Sequence, residues 1–353
     1  MCAIIPVMNN KQRVISQIKH QETDFIPYTL LFDSNSDIEE RLDQKYGSPH
    51  WRSRLDNAIH YLPLPTAGLS VDESAGLYAH DLYGTTWQVN LRPYHIVEPA
   101  LKEPSLAGYH FPTIAECIDP GWEAKALSLM AAEPDYFWVA QIGFGLFERT
   151  WTLRGFDTAL MDVSLNPEFY EELAERLAEN QMAMIEHMLG LPFDGFLFSD
   201  DWGYQDGILI GAKRWRKIIK PHMRRLYERV HRAGKYTLTH ICGSVAEILP
   251  DLIEIGLDVY ESVQPEAKNN NPYELKRKYG KEITFWGGLG SQSLLPFGAS
   301  AEIKNEVAKL CQQMGHDGGY ILSPAKAIQP ETPVENAAAA VEAFLAQAGV
   351  FNF

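Results

Sequence analysis

What most constrains the fold of this chain is an alternation: short apolar runs rich in β-branched and aromatic residues take turns with longer segments of helical period. The runs fall at 26–32, 68–71, 137–142, 195–199, 236–241, 259–262, 283–287 and 320–323, the second being the weakest. Repeated βα units build parallel sheets, and eight of them over 353 residues predict a (β/α)8 TIM-type barrel, with a doubly wound open sheet as runner-up. The intervening helices carry their own signals. Asn166-Pro167-Glu168 offers an N-cap, a first-turn proline and an acid, followed by Leu173, Leu177, Met184, Ile185 and Met188 on one face. Ile303, Val307, Leu310 and Met314 mark a second amphipathic helix. Thr332-Pro333-Val334-Glu335 reads as a capping box opening an alanine-rich third, with Val341, Phe344 and Leu345.

There is no sustained repeat, low-complexity tract or Pro/Gly/Ser-rich linker, so residues 1–353 are expected to form one domain. Residues 76–120, rich in Tyr, Trp, His and Pro but aperiodic, are expected to form a long excursion over the barrel mouth. With 31 basic against 46 acidic residues the net charge is −15, which excludes the usual footprint of a nucleic-acid binder and disfavours anionic membranes. Cys2, Cys117, Cys242 and Cys311 are too few and too scattered for a disulfide framework. With no basic leader before the short apolar run at 2–8, and nowhere 18 consecutive apolar residues, a cytoplasmic protein is expected.

Barrel enzymes place their chemistry at the carboxyl ends of strands, so polar residues there carry weight. Asp200 and Asp201 follow the fourth run, with Trp202 next to them; adjacent carboxylates repel and resist burial, which favours a role at the mouth over that of a loop acid capping the next helix. The fifth run ends His240-Ile241-Cys242-Gly243. Residues two apart on a strand share a face, so imidazole nitrogen and thiolate sulfur can converge on one metal ion, the alternative being a hydrogen-bonded histidine beside a buried cysteine. Cys117 and Cys311 read as packing residues on helices. Glu261 and Gln264 after the sixth run can complete a metal shell or orient a substrate, and Gly287-Gly288 permit close backbone approach to a ligand. Lys326, after the eighth run, is a proton donor, an anion anchor or an ion-pair partner.

Taken in order, His20-Gln21-Glu22-Thr23-Asp24-Phe25-Ile26-Pro27, Trp151-Thr152-Leu153-Arg154-Gly155-Phe156, Asp200-Asp201-Trp202-Gly203, His240-Ile241-Cys242-Gly243, the stretch 251–258 and Gly287-Gly288-Leu289 resemble the uroporphyrinogen decarboxylase superfamily, which also contains zinc- and corrinoid-dependent methyltransferases. The resemblance implies a single distorted barrel with its site at the carboxyl-terminal mouth, and a homodimer. True decarboxylases carry an arginine-containing motif after the first strand, whereas this chain reads Leu31-Phe32-Asp33-Ser34-Asn35-Ser36, with no arginine between Arg13 and Arg41. A polycarboxylated tetrapyrrole would meet Asp33 instead of a guanidinium. The methyltransferase branch shares the His-x-Cys pair, and its third zinc ligand, a cysteine after the last strand, falls at Lys326 here.

The resemblance thus leads to a corrinoid-dependent methyltransferase or demethylase acting on a small methylated substrate. His240, Cys242 and Glu261 are expected to bind zinc, and Asp200, Asp201, His240 or Lys326 to move protons. Asp33, Gln264 and Trp202 are expected to contact substrate, and a corrinoid protein is the expected partner. The alternatives are a cofactor-free carboxy-lyase on a carboxylated ring, with Asp200 or Asp72 stabilising the cation, and a binding barrel that has lost its chemistry.

Overall fold

The computed structural model describes residues 6–64, 69–71, 77–90, 94–118 and 120–351; Asp72 and Cys2 lie outside them. Thirteen strands are present among the described residues: β1 Ile59–Pro63, β2 Leu69–Val71, β3 Tyr78–Asp81, β4 Thr86–Gln88, β5 His95–Glu98, β6 Phe137–Ile142, β7 Gly195–Ser199, β8 Gly203–Tyr204, β9 Gly207–Ile208, β10 Tyr236–His240, β11 Val259–Val263, β12 Thr284–Leu289 and β13 Tyr320–Pro324. Seven of them form one parallel sheet in the order β1-β6-β7-β10-β11-β12-β13, curled with helices outside. Residues 27–32 close the gap between its edges. Tyr28 bridges Leu322 in parallel, and the Tyr28 carbonyl accepts from Ala58 N–H at 2.8 Å just before β1. The result is the expected distorted (β/α)8 barrel.

The second barrel position differs from its sequence-based expectation. It is filled by Ile59–Pro63, not 68–71; Leu69–Val71 belongs to a separate antiparallel sheet, β2-β3-β4-β5. That sheet is the core of the excursion. It is fixed to the barrel by the buried Asp81–Arg149 ion pair, by Thr85 Oγ1 donating to the Thr152 carbonyl at 2.9 Å, and by Trp87 against Phe144.

Period-two alternation sorts the strand residues into two cores. Ile59, Phe137, Val139, Leu197, Leu238, Val259, Trp286 and Ile321 pack together inside the barrel. Phe196, Phe198, Tyr260 and Phe285 face outward, into a larger core shared with the helices. The helices Pro167–Met188, Ser300–Met314 and Val334–Gln347 bury the residues that their periodicity singled out. The capping box expected at Thr332 does not form: Thr332 is itself buried, and the helix begins after Pro333 without a side-chain cap. Gly287 and Gly288 approach the Val263 backbone and Leu310, so their missing side chains serve strand and helix packing, not a ligand. No described helix is long and apolar enough to cross a membrane.

Candidate active site

Above the apolar inner layer, the next inward positions turn polar. Gln141, Ser199, His240, Glu261 and Ser323 continue the parity of Val139, Leu197, Leu238, Val259 and Ile321 at the carboxyl ends of their strands. Gln141 Nε2 donates to Ser199 Oγ at 3.2 Å. In the parallel register His240 sits opposite both Ser199 and Glu261. That pairing brings the Glu261 carboxylate onto His240 Nδ1 in a short hydrogen bond and turns Nε2 toward the loops.

Nε2 lies 3.4 Å from Cys242 Sγ and 3.7 Å from Asp201 Oδ1, and the three donor atoms all fall within 4.8 Å of one another. Asp201 Oδ1 also accepts the Cys242 N–H at 2.8 Å. Two glycines allow the loops after β7 and β10 to meet this closely. A Cβ on Gly203 would sit 2.5 Å from the Cys242 carbonyl oxygen, and Gly243, at φ +78°, would carry its Cβ to 2.6 Å from the Tyr204 carbonyl oxygen.

Tetrahedral zinc with nitrogen, oxygen and sulfur ligands separates its donor atoms by about 3.4–3.6 Å. The His240–Cys242 and His240–Asp201 separations lie within a few tenths of an ångström of that spacing, so the three side chains can converge on such an ion. Glu261, expected as a ligand, bonds the far nitrogen instead, where a carboxylate fixes the tautomer and orientation of a ligating imidazole. Burial lowers the affinity of the His240 ring for a proton, but the Glu261 charge and the hydrogen bonds to Cys242 and Glu261 outweigh it and raise the ring well above its ordinary range. Burial pushes the Cys242 thiol up, against the pull of His240.

The neighbouring carboxylates have separate fates. Asp200 has the parity of Phe196 and Phe198, is fully buried, and accepts from Phe147 N–H at 2.9 Å, Glu148 N–H at 2.8 Å and Trp202 Nε1 at 2.6 Å. It accepts first-turn N–H groups of the helix Leu146–Arg154, which precedes it in the chain, and does not cap the helix that follows as its alternative role had it; burial pushes its carboxyl up to about 7 despite the three donors. Trp202, expected to touch substrate, is buried edge-to-face on Trp215 because its indole N–H is committed to Asp200. Asp33 closes its own turn, accepting the Asn35 N–H at 2.8 Å, and lines neither mouth cavity.

Two cavities open at the mouth. The inner one, about 190 Å³, is walled by Tyr61, Gln141, His240, Glu261, Trp286 and Ser323; the outer one, about 610 Å³, by Tyr204, Cys242, Gln264, Phe297 and Glu331. Lys326 lines both, is exposed, and is the one lysine or arginine on either wall among the described residues. Gln264 presents its amide there while accepting the Gly243 N–H at 2.9 Å. Sequence reasoning missed Glu148, whose carboxyl is raised well above its usual range by burial and by the charges of Asp200 and Asp201, with an opposing pull from His240. Its signal was position: it opens the helix that follows the end of β6.

A parallel barrel whose polar mouth carries a His, Cys and carboxylate donor set defines an α/β-barrel enzyme class. The chain belongs to the uroporphyrinogen decarboxylase family, whose model matches residues 150–346. It is 27% identical over 176 residues to a methylcobamide:CoM methyltransferase of Methanosarcina barkeri, covering 50% of this chain and 48% of the relative. It is 28% identical over 174 residues to a uroporphyrinogen decarboxylase of Thermus thermophilus, covering 49% of this chain and 47% of that one. The chain thus spans about half the length of these curated relatives. A solved methyltransferase from Methanosarcina mazei shares the fold, with a TM-score of 0.69 at 18% identity over 96% of this chain and 98% of that one.

Proposed function

We propose that this chain is a methyltransferase of the corrinoid-dependent type, acting on a small methylated substrate or methyl acceptor at the barrel mouth. The observation that carries this reading is the convergence of His240 Nε2 and Cys242 Sγ, 3.4 Å apart at the end of β10, in a family that includes a methylcobamide-dependent relative. Zinc bound there would hold a substrate heteroatom in its nucleophilic, deprotonated form. Glu261 keeps the His240 ring oriented with Nε2 free for the site. The inner cavity, with its Tyr61 and Trp286 walls, limits substrate size. Methyl transfer moves CH₃⁺ between a substrate heteroatom and the cobalt of a corrinoid; a demethylated donor takes up a proton, whereas an acceptor thiol gives one up. Asp200 is sealed away from both cavities, so Lys326, on the wall of both, takes the proton-handling role at the mouth. The reading treats 1–353 as one catalytic barrel, takes a corrinoid protein as partner and a homodimer as the assembly.

The test is twofold: metal analysis of the purified protein, and loss of the cobalt–carbon absorbance of methylcobalamin on addition of small thiols. One zinc per chain and an acceptor-dependent demethylation, both lost in Cys242→Ala, are expected. Absence of stoichiometric zinc together with unaltered methylcobalamin would refute the proposal. The carboxy-lyase alternative is favoured by the Thermus thermophilus relative and by the high carboxyl of Glu148. Carbon dioxide released from uroporphyrinogen would support it, although Lys326 alone on the described cavity walls is a poor counterpart to several carboxylates.

A further inference from the structure

We infer that Asp201 is the third protein ligand of the metal centre, taking the place of the sulfur missing at position 326, and that Glu261 is a positioning residue behind His240. The inference rests on the zinc reading above and adds to it a donor set of one nitrogen, one sulfur and one oxygen. Three observations carry it. First, Asp201 Oδ1 is 3.7 Å from His240 Nε2, which in turn is 3.4 Å from Cys242 Sγ, within a few tenths of an ångström of the separations of ligands around a tetrahedral ion. Second, the Cys242 N–H donates to that same Oδ1 at 2.8 Å, so one ligand residue fixes the other before any ion arrives. Third, Glu261 occupies Nδ1, leaving it no share in the shell and giving it the backing role that carboxylates take behind metal-bound histidines.

The exchange preserves charge while altering chemistry. A carboxylate and a thiolate each bring one negative charge, so imidazole, thiolate and carboxylate still neutralise a divalent cation. An oxygen donor is harder than sulfur, however, which broadens the site toward cobalt(II), iron(II) and manganese(II) relative to a two-thiolate centre. Position 326 is thereby released from ligation. Its ammonium has no hydrogen bond or ion pair to a side chain among the described residues and lies on the wall shared by the two cavities.

X-ray absorption of the zinc-loaded full-length protein tests the inference without any turnover. One sulfur and a remainder of nitrogen and oxygen neighbours are expected, and Asp201→Cys should raise the count to two. Competition against a chromophoric chelator should show zinc affinity falling by about 10–100-fold in Glu261→Gln with the sulfur count unchanged. The loss in Asp201→Asn should be larger, and none is expected in Lys326→Ala. Two sulfurs in the unaltered protein, or Asp201→Asn binding zinc as tightly as the parent, would overturn the ligand assignment while leaving the zinc reading intact. A parent protein that takes up no zinc would remove both.

Discussion

Two clusters of charged side chains lie a short way apart in this molecule and have opposite character. In the first, Asp81 and Arg149 are 3% and 2% exposed. Asp81 accepts the Tyr83 and Thr85 N–H groups and the Trp87 indole, while the guanidinium lies over the Tyr83 ring and bonds Thr152 Oγ1 at 3.4 Å. In the second, Asp201, His240 and Glu261 are 39%, 29% and 17% exposed, acids outnumber cations, and Cys242 opens onto a cavity. The first cluster is closed: each charge is matched and its lone pairs are used, as burial demands. The second has donor atoms converging on space. A closed charge cluster holds two pieces of structure together, whereas an open one is available to bind something.

The sharpest way to break this contrast is Asp81→Ala, which strands a buried guanidinium and should cost roughly 3–5 kcal/mol of unfolding free energy. Because the pair joins the excursion sheet to the helix Leu146–Arg154, hydrogen exchange should show that sheet loosening first. Zinc affinity should stay near the parent value. Comparable losses in both quantities would mean that the two clusters are one unit.

Asp200 is the next largest. Asp200→Asn puts an amide N–H₂ among three N–H donors and should cost about 1–3 kcal/mol. Its pH signature is distinctive. A carboxyl raised to about 7 in the folded state, from an ordinary value near 4 when unfolded, favours folding most at low pH. Its contribution falls as pH rises through that window, by at most about 1.4 kcal/mol per pH unit. Denaturant titrations at pH 5 and 7 should show the parent losing its advantage over Asp200→Asn as pH rises; a gap that stays constant instead would mean the carboxyl is ionised in the fold at both.

Gly243→Ala should cost about 1–3 kcal/mol, since it forces a positive φ on alanine and drives its Cβ into the Tyr204 backbone. It parts the two loops that carry Asp201 and Cys242, so zinc affinity should fall with stability. An unchanged melting temperature would show that the loops need no such close approach.

Most of the barrel was legible because its strands are apolar on both faces and bounded by turn residues, as at Phe196-Leu197-Phe198 and Phe285-Trp286. β1 was not: Ile59-His60-Tyr61-Leu62-Pro63 carries a histidine and ends in proline, so it reads as loop, while Leu69-Ser70-Val71 offers a better run in the wrong sheet. His240 and Cys242 were legible from spacing two apart on a strand. The place of Asp201 beside them was less legible, although parity points to it. Asp200 continues the outward series Phe196, Phe198, and Asp201 the inward series Leu197, Ser199. Glu148 had no motif at all; its raised carboxyl depends on where a helix start is docked by Asp200, a long-range fact.

That parity sets the smallest expected effect on stability, at the residue with the largest expected effect on the metal. Asp201→Asn keeps an oxygen to accept the Cys242 N–H, removes no buried charge pair and leaves the half-exposed position filled. Relief of repulsion with Glu148 partly offsets the loss of a charged acceptor. The unfolding free energy should therefore shift by less than about 1 kcal/mol, against the greater loss at Asp200 one residue away. Paired denaturant titrations of the two asparagine variants check this without metal. A cost at Asp201 equal to that at Asp200 would make it a second structural acid and leave the open cluster with only two donors.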